Sequence, residues 1–230
     1  MKIYPVVHVN TVETAVEQAA IALSAGADGV YLIHHGADNL ALFRAFDRVV
    51  ADHPTAYVGR NLLGSSTLQA LVRLEGALTA SEIRRAPSGL WSDDIRADRD
   101  PFAARARVID SEVLHGLRIL GGIAFKYTST FTEDPAVARD ETLALRDAVD
   151  VVTTSGSGTG TPPTIEKLQA MREVAGRPIA VASGISADNV DSYRSLIDEV
   201  LVASSLETSR YSGIFDLDAL QRTIARVHAL

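Results

Sequence analysis

Short runs of β-branched and aromatic residues alternate with longer stretches of helical periodicity along the whole chain. This alternation limits the fold more than any other feature, because it is typical of βαβ units and a parallel sheet. Strands are predicted at eight places: Ile3–Val9, Gly29–His34, Ala56–Arg60, Gly89–Asp93, Ile119–Lys126, Val151–Thr154, Ile179–Ser183 and Val200–Ala203. Helical spacing of apolar residues predicts helices at Thr14–Ala25, Leu40–Val50, Ser66–Leu74, Phe102–Leu114, Ala136–Leu145, Ile165–Val174, Asn189–Leu196 and Leu217–Val227.

The even length of these units favours closure of the sheet. Eight βα units with no helical insertion between them favour a (βα)8 barrel, an α/β fold, over an open doubly wound sheet. The chain has 230 residues and no evident linker, so a single barrel domain over residues 1–230 is predicted. Functional residues are then expected in the loops at the carboxyl ends of the strands.

Charge and composition restrict the partners. A net charge of −7 without a cluster of Lys or Arg argues against nucleic acid and against an anionic membrane. The absence of cysteine excludes disulfides, thiolate catalysis and Cys-ligated zinc. The N-terminal segment shows neither a long apolar span nor a secretory cleavage site, so we expect a cytoplasmic protein. A homo-oligomer is left open.

Turns rich in small residues follow each of the last three predicted strands. They contain Gly156, Ser157, Gly158, Thr159 and Gly160 after the sixth, Ser183 and Gly184 after the seventh, and Ser204 and Ser205 after the eighth. Backbone N–H groups in such turns approach an anion closely without a cationic side chain. Because β/α barrels often bind phosphate at these strand ends, we expect a phosphorylated small molecule as the ligand. Helix capping is the alternative for each turn taken singly.

Lys126 is the first candidate for catalysis, at the end of the fifth predicted strand. Side chains alternate between the two faces of a strand, and size assigns the bulky Ile123 and Phe125 to the helix layer. Lys126 then faces the barrel interior above Ala124 and Gly122. A lysine there can form an imine, act as a base or bind a carbonyl or phosphate, with a structural ion pair as the alternative.

The same alternation places Trp91 in the helix layer and Asp94 inward with Ser92, so Asp94 is the expected carboxylate partner of Lys126. A solvated loop start is the alternative for Asp94. Other predicted site-lining residues at strand ends are His8, His34 with the adjacent His35, Arg60 and Asn61. The histidine spacing matches no metal-ligand motif, and we expect neither a metal nor a cofactor. Asp28, Asp150 and Asp198 lie at the opposite strand ends and are expected to be structural.

A segment late in the chain resembles the BtpA family, from about Asp150 to Leu206. The resemblance is carried by Ser155-Gly156-x-x-Thr159-Gly160-x-Pro162, Val181-Ala182-Ser183-Gly184-Ile185-Ser186-x-x-Asn189-Val190-x-x-Tyr193 and Val200-Leu201-Val202-Ala203-Ser204-Ser205-Leu206. It implies a TIM barrel of the phosphate-binding type, similar in shape to barrels that bind ribulose phosphates. Members of the family are associated with photosystem I stability in cyanobacteria, and relatives in non-photosynthetic organisms imply a more general activity.

The chain departs from the family pattern in several loops. Ala203-Ser204-Ser205-Leu206-Glu207 stands where the family usually has Gly-Ser-Ser-Leu-Lys, so a glycine and a lysine are replaced near the expected phosphate. Lys126 is followed by Tyr127 instead of histidine. The stretch from His34 to Asp38 replaces the usual acidic position after the second strand, and the fourth loop, around Asp94–Asp98, is shorter.

The candidate residues favour an enzyme acting on a small phosphorylated compound, a sugar phosphate or nucleotide-like molecule, with Lys126 and Asp94 as catalytic residues. Isomerisation by proton transfer and aldol-type cleavage through a lysine imine both suit a lysine that faces an acid. Glycosyl transfer on a phosphoribosyl compound is a further alternative. The other class of function, implied by the resemblance, is a non-catalytic assembly or stability factor that binds a phosphorylated ligand.

Overall fold

The chain folds as a closed parallel barrel in a computed structural model that describes residues 1–36 and 38–229. Ala37, within the stretch from His34 to Asp38, and Leu230 lie outside the described residues. Each strand pairs in parallel with the next, and β8 pairs with β1 to close the sheet. The predicted (βα)8 TIM barrel is confirmed.

Strands and helices alternate in the expected order. The strands are β1 (Lys2–His8), β2 (Val30–Ile33), β3 (Val58–Asn61), β4 (Gly89–Ser92), β5 (Arg118–Gly122), β6 (Val151–Thr154), β7 (Ile179–Val181) and β8 (Glu199–Val202). The α-helices are α1 (Val12–Ser24), α2 (Asn39–Asp52), α3 (Thr67–Thr79), α4 (Ala103–Asp110), α5 (Pro135–Leu145), α6 (Ile165–Ala175) and α7 (Leu217–His228). None of the helices formed by the described residues has both the length and the apolar character needed to cross a bilayer.

Several predicted elements differ from the structure. Helix α3 continues to Thr79 beyond the predicted end at Leu74, and α4 ends at Asp110 rather than at Leu114.

Two further differences have a local cause. The helix expected at Asn189–Leu196 is a short 3₁₀ helix, Val190–Tyr193. The Asn189 side chain accepts a hydrogen bond from the Ser186 amide and donates one to the Gly184 carbonyl. These bonds stabilise a turn before Val190, so the helix that follows is short. Strand β5 ends at Gly122 rather than at Lys126, because Ala124 has a φ of +49° that interrupts the extended backbone.

The barrel interior is filled largely by large side chains from alternate strand positions. They form one cluster with Tyr4, Val6, Tyr31, Ile33, Trp91, Leu120, Phe125, Val151, Ala180, Ala182 and Leu201. Inward glycines make space for the rings: a Cβ at Gly59 would lie 2.2 Å from the Tyr31 ring. Near the amino end of the barrel, Arg118 of β5 donates to Glu199 of β8 at 2.7 Å. The opposite strand faces pack against the helices.

Aspartates at the amino ends of three strands connect each strand to the one before it. Asp28, Asp150 and Asp198 accept hydrogen bonds from the amides of Ile3, Ile119 and Ile179, at 2.8, 2.9 and 2.8 Å. Each carboxylate therefore joins two neighbouring strands at the face away from the loops expected to carry function. Their expected structural role is confirmed.

Candidate active site at the carboxyl end of the barrel

A cavity of about 630 Å³ opens at the carboxyl ends of the strands. Its apolar part is lined by Val6, Ile33, Leu63, Trp91, Phe125 and Leu201. Its polar part includes His8, His35, Asp93, Lys126, Ser183, Ser204 and Ser205. Apolar walls with a few converging polar groups are typical of a small-molecule site.

The aromatic residues of β4 and of the loop after β5 face the interior, so the predicted positions of Trp91 and Phe125 are wrong. Their rings lie 6.2 Å apart and both line the cavity. Side chains along β4 alternate between the two faces as predicted. Side-chain size was used to decide which set faces inward, and that choice was wrong. Large rings fit inside this barrel because inward-facing glycines leave space for them.

The phase of β4 also exchanges the roles of two neighbouring aspartates. Ser92 faces the helix layer, where it accepts a hydrogen bond from Thr67 Oγ1 of α3 at 2.8 Å. Asp94 caps the 3₁₀ helix Ile95–Ala97 by accepting from the Arg96 amide. Asp93, not Asp94, lines the cavity. The prediction that Asp94 is the inward partner of Lys126 is therefore wrong.

Asp93 is a partly buried carboxylate held in one orientation. Its Oδ1 accepts a hydrogen bond of 2.9 Å from Asn61 Nδ2, so the predicted site residue Asn61 orients it. Burial raises the pKa of Asp93, and the positive charge of Lys126 acts in the opposite direction. The protonated form of this carboxyl group is therefore more favoured than that of an exposed aspartate.

Lys126 reaches the cavity as predicted, although by a different route. The left-handed backbone at Ala124 breaks the strand alternation, so both Phe125 and Lys126 line the cavity. Lys126 Nζ donates to the Ala182 carbonyl at 2.8 Å, and its amide donates to Ser155 Oγ at 2.8 Å. Burial lowers the pKa of Lys126, while Asp93 opposes that shift. Its catalytic role stays a prediction.

Lys167 of α6 supports the loops after β5 and β6 from the helix layer. Its side chain is fully buried, and Nζ donates to the carbonyls of Ala124 and Ser155, both at 2.8 Å. Burial lowers the pKa of Lys167 to about 8. Ala124 precedes Phe125 and Lys126, and Ser155 accepts the Lys126 amide. Lys167 therefore stabilises, from the helix layer, the two loops that position Lys126.

The loops after β6 and β7 pack tightly against each other. Gly156 donates its amide to Ser183 Oγ at 3.1 Å, and Ser183 Oγ donates to Thr161 O at 2.6 Å. Gly184 has a φ of +70°, and a Cβ there would lie 2.1 Å from the nitrogen of Pro162. The cavity is lined by Thr159, Gly160, Ser183, Gly184, Ser204 and Ser205, whereas Gly156, Ser157 and Gly158 lie outside its lining.

Amide groups at the ends of β7 and β8 are available to a ligand. The hydrogen bonds among the described residues engage the amides of Ala182 and Leu206 but not those of Gly184, Ser204 or Ser205. Anion-binding loops present amide groups of this kind. Whether phosphate binds there stays a prediction.

Two other predicted site residues lie away from the cavity. Arg60 faces the helix layer, where its guanidinium lies 4.2 Å and 4.4 Å from the ring centres of Phe43 and Phe46. Burial lowers the pKa of Arg60 to about 9. Its predicted place in the site is wrong because Arg60 pairs in register with the outward-facing Leu32 and Leu90. His34 lies outside the cavity lining and accepts a hydrogen bond from the Asp38 amide.

His8 and the residue after His34 form the other wall. His8 Nδ1 lies 2.5 Å from Glu207 Oε1, and both side chains are almost fully buried. His35 lines the cavity because it shares the inward face with Ile33. Its ring centre lies 4.8 Å from that of His8 and 4.6 Å from that of Tyr211.

Strained backbone surrounds the site. Of the four non-glycine residues with positive φ among residues 1–36 and 38–229, Ala124, Tyr127 and Tyr211 lie in or beside it. The two tyrosines meet at the rim through Thr159, whose Oγ1 lies 3.2 Å and 3.4 Å from their hydroxyl groups. Backbone strain of this kind is concentrated at functional sites.

The sequence did not identify Glu207, Tyr127 and Tyr211 as functional candidates. The signal available for Glu207 and Tyr127 was their departure from the pattern of the resembled family. Nothing comparable marked Tyr211, whose place depends on a loop that returns to the cavity after β8. Asp93 lies at a predicted strand end, which marks it as a candidate. The wrong assignment of the inward face of β4 favoured Asp94 instead.

The match to a protein family covers most of the barrel. The BtpA family model matches residues 71–228. The chain belongs to the BtpA family. In this BtpA barrel the matched region contains Asp93, Lys126 and the loops after β6, β7 and β8, whereas His8 and His35 precede it. No curated protein matches the sequence.

Solved structures similar to this BtpA protein share its architecture at low sequence identity. Phosphoribosylanthranilate isomerase from Thermotoga maritima is 14% identical with a TM-score of 0.68, and all of both chains is covered. Another phosphoribosyl anthranilate isomerase structure, in complex with reduced 1-(o-carboxyphenylamino)-1-deoxyribulose 5-phosphate, is 12% identical with a TM-score of 0.65 and the same coverage. Mycobacterium tuberculosis tryptophan synthase is 16% identical with a TM-score of 0.61, covering 98% of this chain and 90% of that one. These likenesses show the fold.

Proposed function

We propose that this BtpA-family barrel is an enzyme that acts on a small phosphorylated carbonyl compound, as an isomerase or a carbon–carbon lyase. The observation that carries the proposal is one cavity with a partly buried lysine and a partly buried carboxyl group on one side. On another side it has loop amides that donate no hydrogen bond within the described part of the chain. The similar fold of an isomerase bound to a ribulose 5-phosphate derivative agrees with it.

The phosphate group would be bound at the ends of β7 and β8. Gly184, Ser204 and Ser205 contribute amides there, and the Ser204 hydroxyl adds a donor. The Ser205 hydroxyl donates instead to the Ile185 carbonyl at 2.9 Å. The net charge of −7 makes such local donors necessary, because the chain as a whole repels an anion. The left-handed Gly184 brings its backbone against Pro162 and so keeps the two loops together.

Lys126 and Asp93 would act at the carbonyl end of the ligand. A lysine with a lowered pKa is available as an amine to form an imine, and as an ammonium it stabilises a developing oxyanion. Burial raises the pKa of Asp93, so its carboxyl group is more readily available as a proton donor than an exposed aspartate is. Isomerisation and carbon–carbon cleavage both use these two groups.

Ligand binding is tested through the single tryptophan. Trp91 is the only tryptophan in the chain and lines the cavity, so its fluorescence reports occupancy. Inorganic phosphate and a series of phosphorylated ketoses and aldoses are titrated, and thermal unfolding is measured in parallel. A ligand at a hundred times its Kd adds about 2.7 kcal/mol to the free energy of unfolding.

Two serine variants locate the phosphate. Ser204→Asp places a negative charge in the cavity lining and is expected to weaken binding at least tenfold. Ser209→Asp is the matched control, since Ser209 is exposed in the same loop but outside the lining. Equal affinity in the two variants, or no binding by the native chain, contradicts the proposed phosphate site.

Borohydride reduction in the presence of bound ketoses then separates the two reactions. An adduct at Lys126, detected by peptide mass spectrometry and lost in Lys126→Arg, indicates imine chemistry and a lyase. Lys2 and Lys167 are the other lysines of the chain and serve as internal controls. Turnover without an adduct indicates isomerisation by proton transfer, and binding without any turnover supports a non-catalytic binding factor.

A further inference from the structure

The wall opposite the lysine loop contains a buried histidine–glutamate pair that the proposed mechanism does not use. His8 ends β1 and Glu207 follows β8, and Nδ1 and Oε1 lie 2.5 Å apart. A carboxylate only accepts, so the hydrogen between them belongs to Nδ1 of the imidazole. The other ring nitrogen, Nε2, is then the one left for a molecule in the cavity that His8 lines.

Glu207 is held in place by more than His8. Its Oε1 also accepts the amide of Gly213 at 3.0 Å, and its Oε2 accepts the amide of Tyr211 at 2.9 Å. The returning loop therefore closes around the carboxylate, whose side chain has no exposed surface. A buried carboxylate with this many donors is a rigid support for an imidazole.

Other titratable groups pack close to His8. The ring of His35 lies 4.8 Å away at an interplanar angle of 43°, and the ring of Tyr211 lies 5.4 Å away edge-on. Burial and the neighbouring His8 lower the pKa of His35, which favours its neutral form. Glu207 is therefore the charged group in direct contact with His8.

We propose that His8 is a further proton-transfer residue of this site, in addition to Lys126 and Asp93, and that Glu207 positions it. The proposal rests on the proposed function, because it needs a carbonyl ligand whose phosphate is bound at β7 and β8. It adds the class of substrate: a phosphorylated α-hydroxycarbonyl compound, whose isomerisation needs proton transfer at carbon and at oxygen.

The proton balance uses both walls. Neutral His8 Nε2 takes a proton from the hydroxyl-bearing carbon, the C–H electrons form the carbon–carbon double bond, and the carbonyl oxygen takes a proton from the Lys126 ammonium. The enediol collapses when the imidazolium returns its proton to the former carbonyl carbon and the Lys126 amine takes the other hydroxyl proton. No proton is gained or lost overall. Glu207 stabilises the imidazolium between the two halves.

Solvent exchange measures the carbon step directly. The native protein is incubated in D₂O with dihydroxyacetone phosphate and with longer ketose phosphates, and loss of the C–H signal is followed by proton NMR. Occupancy is measured separately through Trp91 fluorescence. His8→Asn retains an amide that can donate to Glu207. His115→Asn is the matched control, because His115 is exposed and lies outside the cavity lining.

We expect His8→Asn to slow exchange by at least about a hundredfold while binding changes less than threefold. His115→Asn should change exchange less than twofold. Glu207→Gln should slow exchange at least about tenfold while ligand binding changes less than threefold, because the His8 ring loses the carboxylate that fixes its tautomer. In ¹⁵N NMR of the native protein, His8 should carry hydrogen on Nδ1 and a free lone pair on Nε2.

The failures of the two proposals are distinguishable. No binding of any phosphorylated probe overturns the proposed function. Binding without exchange, exchange that survives in His8→Asn, or an Nε2-protonated neutral ring overturns the role of His8 and leaves the phosphate site intact. An unchanged exchange rate together with an unchanged ¹⁵N tautomer signature of His8 in a folded Glu207→Gln protein overturns the positioning role of Glu207.

Discussion

Asp93 and Asp94 are adjacent residues that experience different surroundings. Asp93 lies in the cavity against Asn61, and Asp94 caps a short helix. Burial raises the pKa of Asp93, so the folded chain binds more protons than the unfolded chain above the ordinary aspartate value. Ionised Asp93 therefore costs stability, and that cost appears as pH rises through the interval between its unfolded and folded pKa values.

Asp93→Asn is expected to be more stable than the native chain at pH 7, with the advantage shrinking as pH falls towards 4. Asp94→Asn should change the free energy of unfolding by less than about 0.5 kcal/mol, since asparagine caps as well as aspartate. Urea unfolding at several pH values measures both. A destabilised Asp93→Asn at pH 7 would show that Lys126 more than offsets the burial of the carboxylate.

At the level of single residues, the sequence predicts which residues lie near the site better than it predicts which of them contact each other. Lys126 lines the cavity at the predicted end of the barrel, because strand ends there face one opening. Asn61 lies outside the lining of this cavity and orients Asp93 through a hydrogen bond. Arg60 and Asp94 do not act as predicted, because a one-residue error in phase moves a side chain to the other face. The contact of His8 with Glu207 joins residues 199 positions apart, and only closure of the barrel brings them together.

Among the elements, the loops after β6 and β7 depend on two left-handed glycines in different surroundings. A Cβ at Gly184 would meet Pro162, whereas a Cβ at Gly160 would meet nothing within 4 Å. Gly160→Ala should cost about 1–2 kcal/mol for the left-handed backbone alone. Gly184→Ala should cost about 1–3 kcal/mol more, because overpacking is added. Equal costs by chemical denaturation would show that the two loops separate freely.

Helix α6 contributes a pH-dependent support to the same loops. Burial lowers the pKa of Lys167 to about 8, so between pH 8 and 10 the unfolded chain binds more protons than the folded chain. The free energy of unfolding should therefore rise with pH in this interval, by at most about 1.4 kcal/mol per unit.

In Lys167→Met the rise should be smaller than in the native chain. Lys2→Met is the control, because Lys2 is exposed at the start of β1. Stability is measured by urea unfolding at pH 8, 9 and 10. An identical slope in Lys167→Met and in the native chain would show that Lys167 keeps its charge through this range.

Element positions followed well from periodicity where helices and strands are regular. The predicted Val151–Thr154 matches β6, and the predicted Ile165–Val174 ends one residue before α6 does. Periodicity failed where side chains bond the backbone locally, as Asn189 does before the 3₁₀ helix. It also failed after Gly122, where a left-handed alanine ends the strand in an otherwise β-like run.

At the scale of the whole molecule, an ion pair between strands and the proposed ligand site lie at opposite ends of the barrel. Arg118 and Glu199 join β5 and β8 near the amino end, and Arg118 is about one quarter exposed. Glu199→Gln should cost about 1–3 kcal/mol, less than breaking a fully buried pair. Binding of phosphorylated ligands should be unchanged.

Asp47→Asn is the comparison for Glu199→Gln, because it breaks the exposed ion pair with Arg84 and should cost less than about 1 kcal/mol. Thermal unfolding and Trp91 fluorescence titration measure the two properties separately. A loss of ligand affinity in Glu199→Gln would mean that strain passes from one end of the barrel to the other.

The fold as a whole was the most predictable property. Eight similar units require a closed or an open parallel sheet, and the absence of an inserted helix favoured closure. The chemistry was less predictable, because a barrel of this shape accommodates many reactions and the residues that distinguish them lie in irregular loops. Tyr127 and Tyr211 illustrate this, since both adopt backbone conformations that sequence patterns do not encode.

Pairing of β8 with β1 has a consequence for how the protein behaves at high concentration. Each strand of the described barrel has a partner on both sides, so the native sheet offers no row of free amides and carbonyls to a strand from another molecule. Fibril-like aggregation through strand pairing therefore requires the barrel to open first. Any native assembly of copies has to use helices and loops.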